Sequence, residues 1–243
     1  MIVKTSAIVL KVIHYSESSL IVTLMTKKHG KIAVIAKGAR KPKSKFSGMM
    51  ALGQILEVVY YYKPARSVQT LSDAAYLQKL LGIRTDIFKI ALISSVLELV
   101  NQLIHENEIN NSIFTFLLRF LPWINDIDNP SKLILPYVQI QLAQITGIGL
   151  QLNEIDNDKM FLNIDNGVIS GHPENNNSIL LTIDQYQFIK KAIFTKKSTI
   201  FETELRKSEL KELIQHLDKY FRYHVEGMKE RKSDRIFNQL FDY

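Results

Sequence analysis

The residues of this chain that could bind a ligand through their charge are concentrated in one short segment. Five of the nine positions in Lys37–Lys45, of sequence KGARKPKSK, are lysine or arginine. Gly38 and Pro42 set the course of its backbone, because glycine allows conformations that other residues avoid and proline fixes φ. Apolar runs flank the segment on both sides. Lysine and arginine bind polyanions by displacing the counterions that condense around phosphates. The segment therefore predicts a phosphate-binding loop, and the alternative interpretation is a solvated connector.

The net charge of +7 is distributed unevenly along the chain. Residues 1–80 carry 13 basic and 3 acidic side chains, a net charge of +10, whereas the other 163 residues carry 18 basic and 21 acidic ones, a net charge of −3. A basic module joined to a slightly acidic body predicts one nucleic-acid-binding surface in the first third of the chain. Its candidate DNA-binding residues are Lys27, Lys28, Lys31, Lys37, Arg40, Lys41, Lys43, Lys45 and Arg66.

The first 80 residues have the composition of β structure. Short runs rich in Val, Ile, Thr and Tyr are separated by Gly, Ser and Pro, which predicts five strands: Ser6–Tyr15, Leu20–Thr26, Lys31–Ala36, Ile55–Tyr62 and Val68–Ala74. Because both faces of several runs are apolar, a small closed barrel is favoured over an open sheet, which would need a second layer to cover it. Met1–Leu10 is interpreted as a strand and not as an export signal, because Lys4 interrupts it and no small-residue cleavage site follows.

From about residue 81 the apolar residues recur at helical spacing. We predict helices over Asp86–Glu106, Ile109–Ile124, Ser131–Gly147, Asp184–Phe194, Ser208–Lys229 and near Ser233–Leu240. Thr85 or Asp86 is expected to cap the first helix, and Ser208 the last long one. The helical signal stops between Gly147 and Thr182, where Met160–Ile164 and Gly167–Ile169 predict a small hairpin. The expected domains are a barrel over 1–80 and a helical domain over 81–243, with an insert at about 148–182.

Four aromatic residues near the basic segment are candidates for stacking on bases: Phe46, Tyr60, Tyr61 and Tyr62. A stacked base contributes about 1–3 kcal/mol. Because side chains alternate along a strand, Tyr60 and Tyr62 share one face and Tyr61 has the other, so at least one of them is expected in the core. Core packing and stacking both remain open for the tyrosines.

No other pattern in the sequence supports chemistry. The six histidines form no close ligand cluster, and His216 and His224, eight residues apart on one helix, are expected to be polar surface residues. Asp156, Asp158 and Asp165 lack the spacing of a cation-binding loop. The phosphate-cradling GxxxxGK[ST] motif is missing, and without cysteine no thiolate zinc site is possible. We therefore expect no metal, no cofactor and no enzyme activity.

The segment Thr5–Ser44 resembles the N-terminal barrel of the RecO family, bacterial mediators of DNA repair and recombination. The resemblance rests on the Tyr15-Ser16-Glu17 turn, the hairpin from Thr26 to Gly30, and Lys37-Gly38-Ala39-Arg40 leading through Lys41-Pro42-Lys43 to Ser44. The order of barrel, helices and insert extends it over nearly the whole chain. It implies an α+β fold, in which a five-stranded OB-fold barrel precedes an all-helical domain with a small β-hairpin insert.

The resemblance also implies a function without turnover chemistry. A RecO-like protein binds single- and double-stranded DNA, anneals complementary strands and helps load recombinase onto single strands coated by single-strand-binding protein (SSB). The implied partners are RecR and the acidic C-terminal tail of SSB, with RecF and RecA as further candidates and no membrane, and the implied location is the bacterial cytoplasm at the nucleoid. Many family members bind zinc through four cysteines in the insert, so a chain without cysteine is expected to have a metal-free insert there.

The helical part offers basic points that could line a groove for an acidic peptide. They are Lys190, Lys191, Lys196, Lys197, Lys229, Arg231, Lys232 and Arg235. Salt bridges on a helical surface would explain any one of them equally well.

Two other classes of function compete with the DNA mediator. An RNA-binding barrel protein that acts on tRNA or ribosomes would use the same basic loop. A nuclease is disfavoured, because no constellation of carboxylates or histidines supports metal-dependent hydrolysis.

Overall fold

The computed structural model describes residues 1–156, 158–194, 198–234, 236 and 239. It divides into two compact units, Met1–Asp128 and Asn129–Tyr243. The first unit contains the barrel and the two helices that follow it, whereas the boundary expected at residue 80 separates the barrel from all the helices. Assignment of a separate function to residues 1–80 stays a prediction.

The predicted five-stranded barrel is confirmed. Its strands are β1 (Ile2–His14), β2 (Leu20–Thr26), β3 (Gly30–Ala36), β4 (Ile55–Tyr61) and β5 (Val68–Gln78). The order around the barrel is β1-β2-β3-β5-β4, and β4 pairs with β1 to close it. All pairs are antiparallel except β3 with β5. This is the Greek-key order of an OB fold.

A β bulge in β1 decides which of its side chains face solvent. The register to β2 passes from Val9 opposite Leu24 to Lys11 opposite Thr23, so Leu10 is the extra residue. A bulge reverses the alternation of inward and outward side chains. Val9 and Val12 therefore both contact the barrel core, and Lys11 is exposed.

Two helices complete the first unit: α1 (Ile87–Leu103), which contacts β1, and α2 (Asn111–Asp126). Of the two predicted caps for α1 the structure uses Asp86, whose carboxylate accepts hydrogen bonds from the backbone N–H groups of Phe88 at 2.7 Å and Lys89 at 3.2 Å. These bonds satisfy donors that have no partner inside the helix. Asn110 caps α2 in the same way.

The connection between α1 and α2 extends the barrel wall beside the start of β3. The backbone N–H of Lys31 donates to the carbonyl of Glu108 at 3.3 Å, and the N–H of Asn107 donates to the carbonyl of Lys31 at 2.8 Å. Gly30 lies against this connection with a φ of 61°. A β carbon at Gly30 would come within 1.7 Å of the Glu108 carbonyl oxygen, so only glycine fits here.

In its described residues the second unit contains three α-helices, a short 3-10 helix (Ser198–Glu202) and a small sheet. Its elements are α3 (Ile134–Ile145), β6 (Gln151–Leu152), β7 (Met160–Asn163), β8 (Val168–Ser170), β9 (Ile179–Leu181), α4 (Ile183–Phe194) and α5 (Lys207–His224). The predicted hairpin is present as β7 and β8, and it belongs to a four-stranded sheet of order β6-β8-β7-β9. Strands of two and three residues are too short to show a period of two, which is why the sequence did not indicate β6 and β9.

The two ends of α5 differ from the prediction. The N-cap is Arg206 and not Ser208: the backbone N–H of Arg206 donates to the Glu209 carboxylate at 3.1 Å, and its guanidinium does so at 2.7 Å. These hydrogen bonds lower the pKa of Glu209 to about 2. The helix ends at His224, five residues before the predicted end at Lys229. Four of the eight residues of the helix predicted near Ser233–Leu240 lie outside the described residues.

Three residues of the second unit that were expected at the surface are at least partly buried or have a partner inside it. Arg231 is buried, with its Nη1 and Nη2 at 2.8 and 2.9 Å from the carboxylate of Asp218 and its Nε donating to Asp234 at 2.9 Å. His224 Nε2 forms a hydrogen bond of 2.7 Å with the carbonyl of Ile164. Burial lowers the pKa of His216. Arg231 is therefore a core cation and not a basic surface point. Lys196, Lys197 and Arg235 lie outside the described residues.

Among the residues that the structure describes, no helix has the length and apolarity needed to span a bilayer.

The clash at Gly30 predicts a large loss of stability on substitution by alanine. Gly30→Ala should lower the free energy of unfolding by at least about 3 kcal/mol, because both the positive φ and the contact with Glu108 oppose a β carbon. The matched control is Gly38→Ala, which has a similar φ of 69° and only the Lys41 side chain nearby; its strain alone should cost about 1 kcal/mol. Urea denaturation of both variants measures the difference, and equal losses would contradict the predicted clash.

The buried cation of the second unit gives another prediction. Arg231→Met leaves Asp218 and Asp234 without their cation, which should cost about 3–5 kcal/mol of unfolding free energy. The control variant is Lys190→Met, since Lys190 is exposed on α4; it should change stability by less than about 0.5 kcal/mol. A loss below about 1 kcal/mol in Arg231→Met would show that the ion pairs do not stabilise this unit.

Candidate nucleic-acid interface

The basic segment belongs to the connection 37–54 between β3 and β4, and apolar residues fix this connection to the barrel. Ala39, Phe46 and Met50 are buried in the barrel core. Backbone hydrogen bonds form successive turns between them, including Lys41 N–H to Gly38 O at 3.1 Å. Phe46 was a candidate for stacking on a base, but it is a core residue and is not available for stacking. The basic side chains project from a backbone that hydrophobic burial holds in place.

Two of the five cations in the segment tie the connection to neighbouring elements. The backbone N–H of Arg40 donates to Ser18 O at 3.0 Å, and its guanidinium donates to Ser16 O at 2.9 Å. The ammonium of Lys45 donates to Ser72 O at 2.5 Å and lies 3.6 Å from the Asp73 carboxylate. Arg40 therefore joins the segment to the β1–β2 loop, and Lys45 joins it to β5.

The other three cations, Lys37, Lys41 and Lys43, are exposed. Within the part of the chain that the structure describes, none of their ammonium groups has a hydrogen bond or an ion pair. Their charges are available to an anion without the loss of an internal contact.

Strand register places further cations at the opposite end of β3. Val68, the first residue of β5, pairs with Ala33 in parallel, so the β4–β5 loop that contains Lys63 and Arg66 lies beside the start of β3. The β2–β3 turn, with the exposed Lys27 and Lys28, lies at that same end. Seven residues of strand span roughly 23 Å. The outer surface of β2 and β3 thus has basic groups at both ends, about 23 Å apart.

The outer surface between these two ends is neutral, apart from one cation that the sequence did not indicate. The half-buried side chains of Ile21, Thr23, Ala33 and Ile35 form it. Lys11 lies opposite Thr23 and faces solvent because of the bulge at Leu10. Only the register reveals this position of Lys11.

Lys31 differs from the other candidate DNA-binding residues. Its ammonium donates to the carbonyl of Asn101 at 2.7 Å, in the last turn of α1. Partial burial lowers the pKa of Lys31, although Glu106 and Glu108 favour its charged form. A cation at the C-terminus of a helix stabilises that helix. Lys31 therefore supports the packing of α1, and the structure does not place its charge at the outer surface.

The three consecutive tyrosines have three different environments. Tyr60 is fully buried, its hydroxyl forms a hydrogen bond of 2.6 Å with His29 Nδ1, and burial raises its pKa to about 12, so the phenol stays protonated. Tyr62 stacks on the His29 ring at 3.9 Å. Burial and the nearby Lys28 lower the pKa of His29. Tyr61 is exposed on β4, which neighbours neither β2 nor β3. Tyr60 is thus core, and Tyr61 lies two strands away from Ile35, with Thr70 of β5 between them.

The described side chains offer no metal site that the sequence overlooked. In the described ranges, no three His, Asp or Glu side chains come close enough together to hold a metal ion.

Comparison with known proteins agrees with this architecture. Residues 1–79 match the family model described as Recombination protein O N terminal, and residues 84–155 match the one described as Recombination protein O C terminal. Proteins named DNA repair protein RecO are similar over different lengths. The one from Chloroherpeton thalassium is 26% identical over 257 residues, covering 99% of each chain. The one from Salinibacter ruber is 40% identical over 147 residues, 60% of this chain and 56% of that protein.

A third relative, from Bacillus subtilis, is 33% identical over 153 residues, which are 63% of this chain and 59% of that protein. The matched segments thus span little more than half of the Salinibacter and Bacillus proteins, whereas the Chloroherpeton protein matches along its whole length. Barrel, helices and both family models point to the same conclusion. The chain belongs to the RecO family of DNA repair proteins.

Proposed function

We propose that this protein is a DNA-binding recombination mediator, which anneals complementary strands and helps load recombinase onto single-stranded DNA coated by SSB. The observation that carries the proposal is the set of exposed ammonium groups of Lys37, Lys41 and Lys43 on a backbone fixed to the barrel. Because the backbone that holds these lysines is already fixed, their binding to a polyanion does not have to order the connection as well. Family membership adds that the polyanion is DNA.

The DNA path that we propose crosses the outer surface of β2 and β3. It begins at Lys37–Lys45, passes Lys11, and ends near Lys27, Lys28 and Arg66. Contacts of this kind are made to phosphates and carry little sequence information. The surface between the two basic ends is aliphatic, so bases would contact Ile21 and Ile35 without base-specific hydrogen bonds. Such a surface suits a mediator that holds any sequence and does no chemistry on it.

The proposal includes the partners and location that the family resemblance implies. These are RecR, the acidic tail of SSB, RecF and RecA, in the cytoplasm at the nucleoid. RNA binding is the competing function, because phosphates of either nucleic acid would satisfy the same lysines. Competition between single-stranded DNA and RNA of the same sequence for the intact protein separates the two, and a preference for RNA would contradict our proposal.

The exposed lysines give the direct test. Lys37→Ala, Lys41→Ala and Lys43→Ala together should weaken binding of single-stranded DNA by at least about tenfold at low salt. The slope of log K against log salt should become shallower by about 2, since each lost phosphate contact removes about 0.7–0.9. Annealing of complementary strands precoated with SSB should slow accordingly. The fold should persist, because within the described residues none of the three ammonium groups has a hydrogen bond or an ion pair.

The control for this variant removes the same charge elsewhere. Lys190, Lys211 and Lys219 are exposed on α4 and α5, and the triple alanine variant at these positions should bind DNA within about twofold of the wild type, with an unchanged salt slope. If both triple variants lost affinity equally, general charge and not the basic connection would explain binding. A folded Lys37/Lys41/Lys43 variant with an unaltered slope would show that the connection is only a solvated loop.

A further inference from the structure

Two cations outside the proposed DNA path lie together at the far end of β5. Lys79 follows this strand, and its ammonium is 5.7 Å from the centre of the Tyr76 ring. Arg84 lies in a short 3-10 helix just beyond, and its guanidinium donates to the Gly48 carbonyl at 2.7 Å. Gly48 itself lies against the Tyr76 hydroxyl, since a β carbon there would be 3.6 Å from it. Lys79 therefore lies beside Tyr76, Arg84 lies beside Gly48, and Gly48 and Tyr76 are neighbours.

This place is on the other side of the barrel from the β2–β3 surface. Leu56 of β4 pairs with Tyr76, and β4 is separated from β2 by β1 and from β3 by β5. β5 pairs with β3 only over Val68–Thr70, so beyond Thr70 it has only β4 as a partner strand. The connection 37–54 runs along this part of β5, where Lys45 donates to Ser72. The connection 37–54 thus extends from the β2–β3 surface to the place of Lys79 and Arg84.

Carboxylates around these cations have partners of their own. Asp86, two residues after Arg84, accepts hydrogen bonds from the backbone N–H groups of Phe88 and Lys89. On the outer side of β4, Glu57 is paired with Lys4 at 2.7 Å. Asp73 is 3.6 Å from Lys45, and both side chains are more than half exposed, so this pair contributes little. In the described part of the chain, no carboxylate forms an ion pair with Lys79 or Arg84. Their positive potential faces solvent.

We propose that Lys79 and Arg84, assisted by Lys45, form a second nucleic-acid site, which holds the backbone phosphates of another strand while the first lies on the β2–β3 surface. This inference rests on the proposed function. An annealing protein has to bring two polyanions together, and their mutual repulsion is reduced when cations lie between them. The connection 37–54 supplies such cations, because Lys37, Lys41 and Lys43 lie on the stretch between the two sites. The ligand is recognised by its phosphates, so the second site has no sequence preference.

The number of strands held at once tests the second site. The intact protein is titrated at low salt with an oligothymidylate of about eight nucleotides, within the site size of one OB fold, and the bound strands per chain are counted by native mass spectrometry. The wild type should bind two strands. Lys79→Ala/Arg84→Ala should bind one, with an affinity for that strand within about twofold of the wild type, and should anneal complementary strands about tenfold more slowly. The control Lys190→Ala/Lys211→Ala should bind two.

Removal of Arg84 could disturb the connection 37–54, because Arg84 donates to the carbonyl of Gly48. A second variant therefore leaves Arg84 in place. Lys79→Glu alters only a side chain above the Tyr76 ring, and it should also bind a single strand with an unchanged melting temperature. Two strands on both variants, or only one on the wild type, would overturn the second site while the proposed function stands. Failure of the wild type to bind any strand would instead contradict the proposed function itself.

Discussion

The basic connection 37–54 keeps its folded conformation because Ala39, Phe46 and Met50 are buried in the barrel core. Without this burial, repulsion between its lysines and arginine would extend the connection. Two unit charges about 6 Å apart repel by roughly 0.7 kcal/mol in water, and less with salt. Burying one phenylalanine side chain contributes about 1.5–3 kcal/mol. Hydrophobic anchoring therefore exceeds the repulsion between neighbouring lysines, and the connection keeps one conformation. The positions of Lys37, Lys41 and Lys43 in the proposed interface depend on this balance.

The anchored connection also divides its cations by role. The charged groups of Arg40 and Lys45 donate hydrogen bonds to backbone carbonyls of the β1–β2 loop and β5. Within the described residues, the ammonium groups of Lys37, Lys41 and Lys43 have no hydrogen bond or ion pair. Arg40 and Lys45 orient the segment, and Lys45, whose ion pair with Asp73 is exposed, also lies beside the second site. Lys37, Lys41 and Lys43 are left for the phosphates of the first strand. Preorganisation of this kind raises affinity by lowering the entropy lost on binding. The same connection runs along β5 towards Lys79 and Arg84, which makes the barrel basic on two sides.

Local patterns sufficed for the barrel, the first helix cap at Asp86 and the basic segment, because each depends on neighbours in the chain. Features set by long-range pairing could not be predicted. Lys11 faces solvent only because of a bulge against β2, and β6 and β9 are too short for a periodic pattern. The sequence indicated Arg231 as a surface cation, but in the structure it is buried and forms an ion pair with Asp218, thirteen residues earlier in the chain. Charge shows where anions can bind, but only the fold shows which cations are already occupied.

The central claim is that DNA binds through the exposed lysines of the anchored connection. Chemical acetylation of lysines in the intact protein, with and without single-stranded DNA, followed by peptide mass spectrometry, tests it directly. DNA should protect Lys37, Lys41 and Lys43 and leave the reactivity of Lys190 and Lys211 unchanged. Protection of the lysines on α4 and α5, with the connection as reactive as in the free protein, would contradict the account.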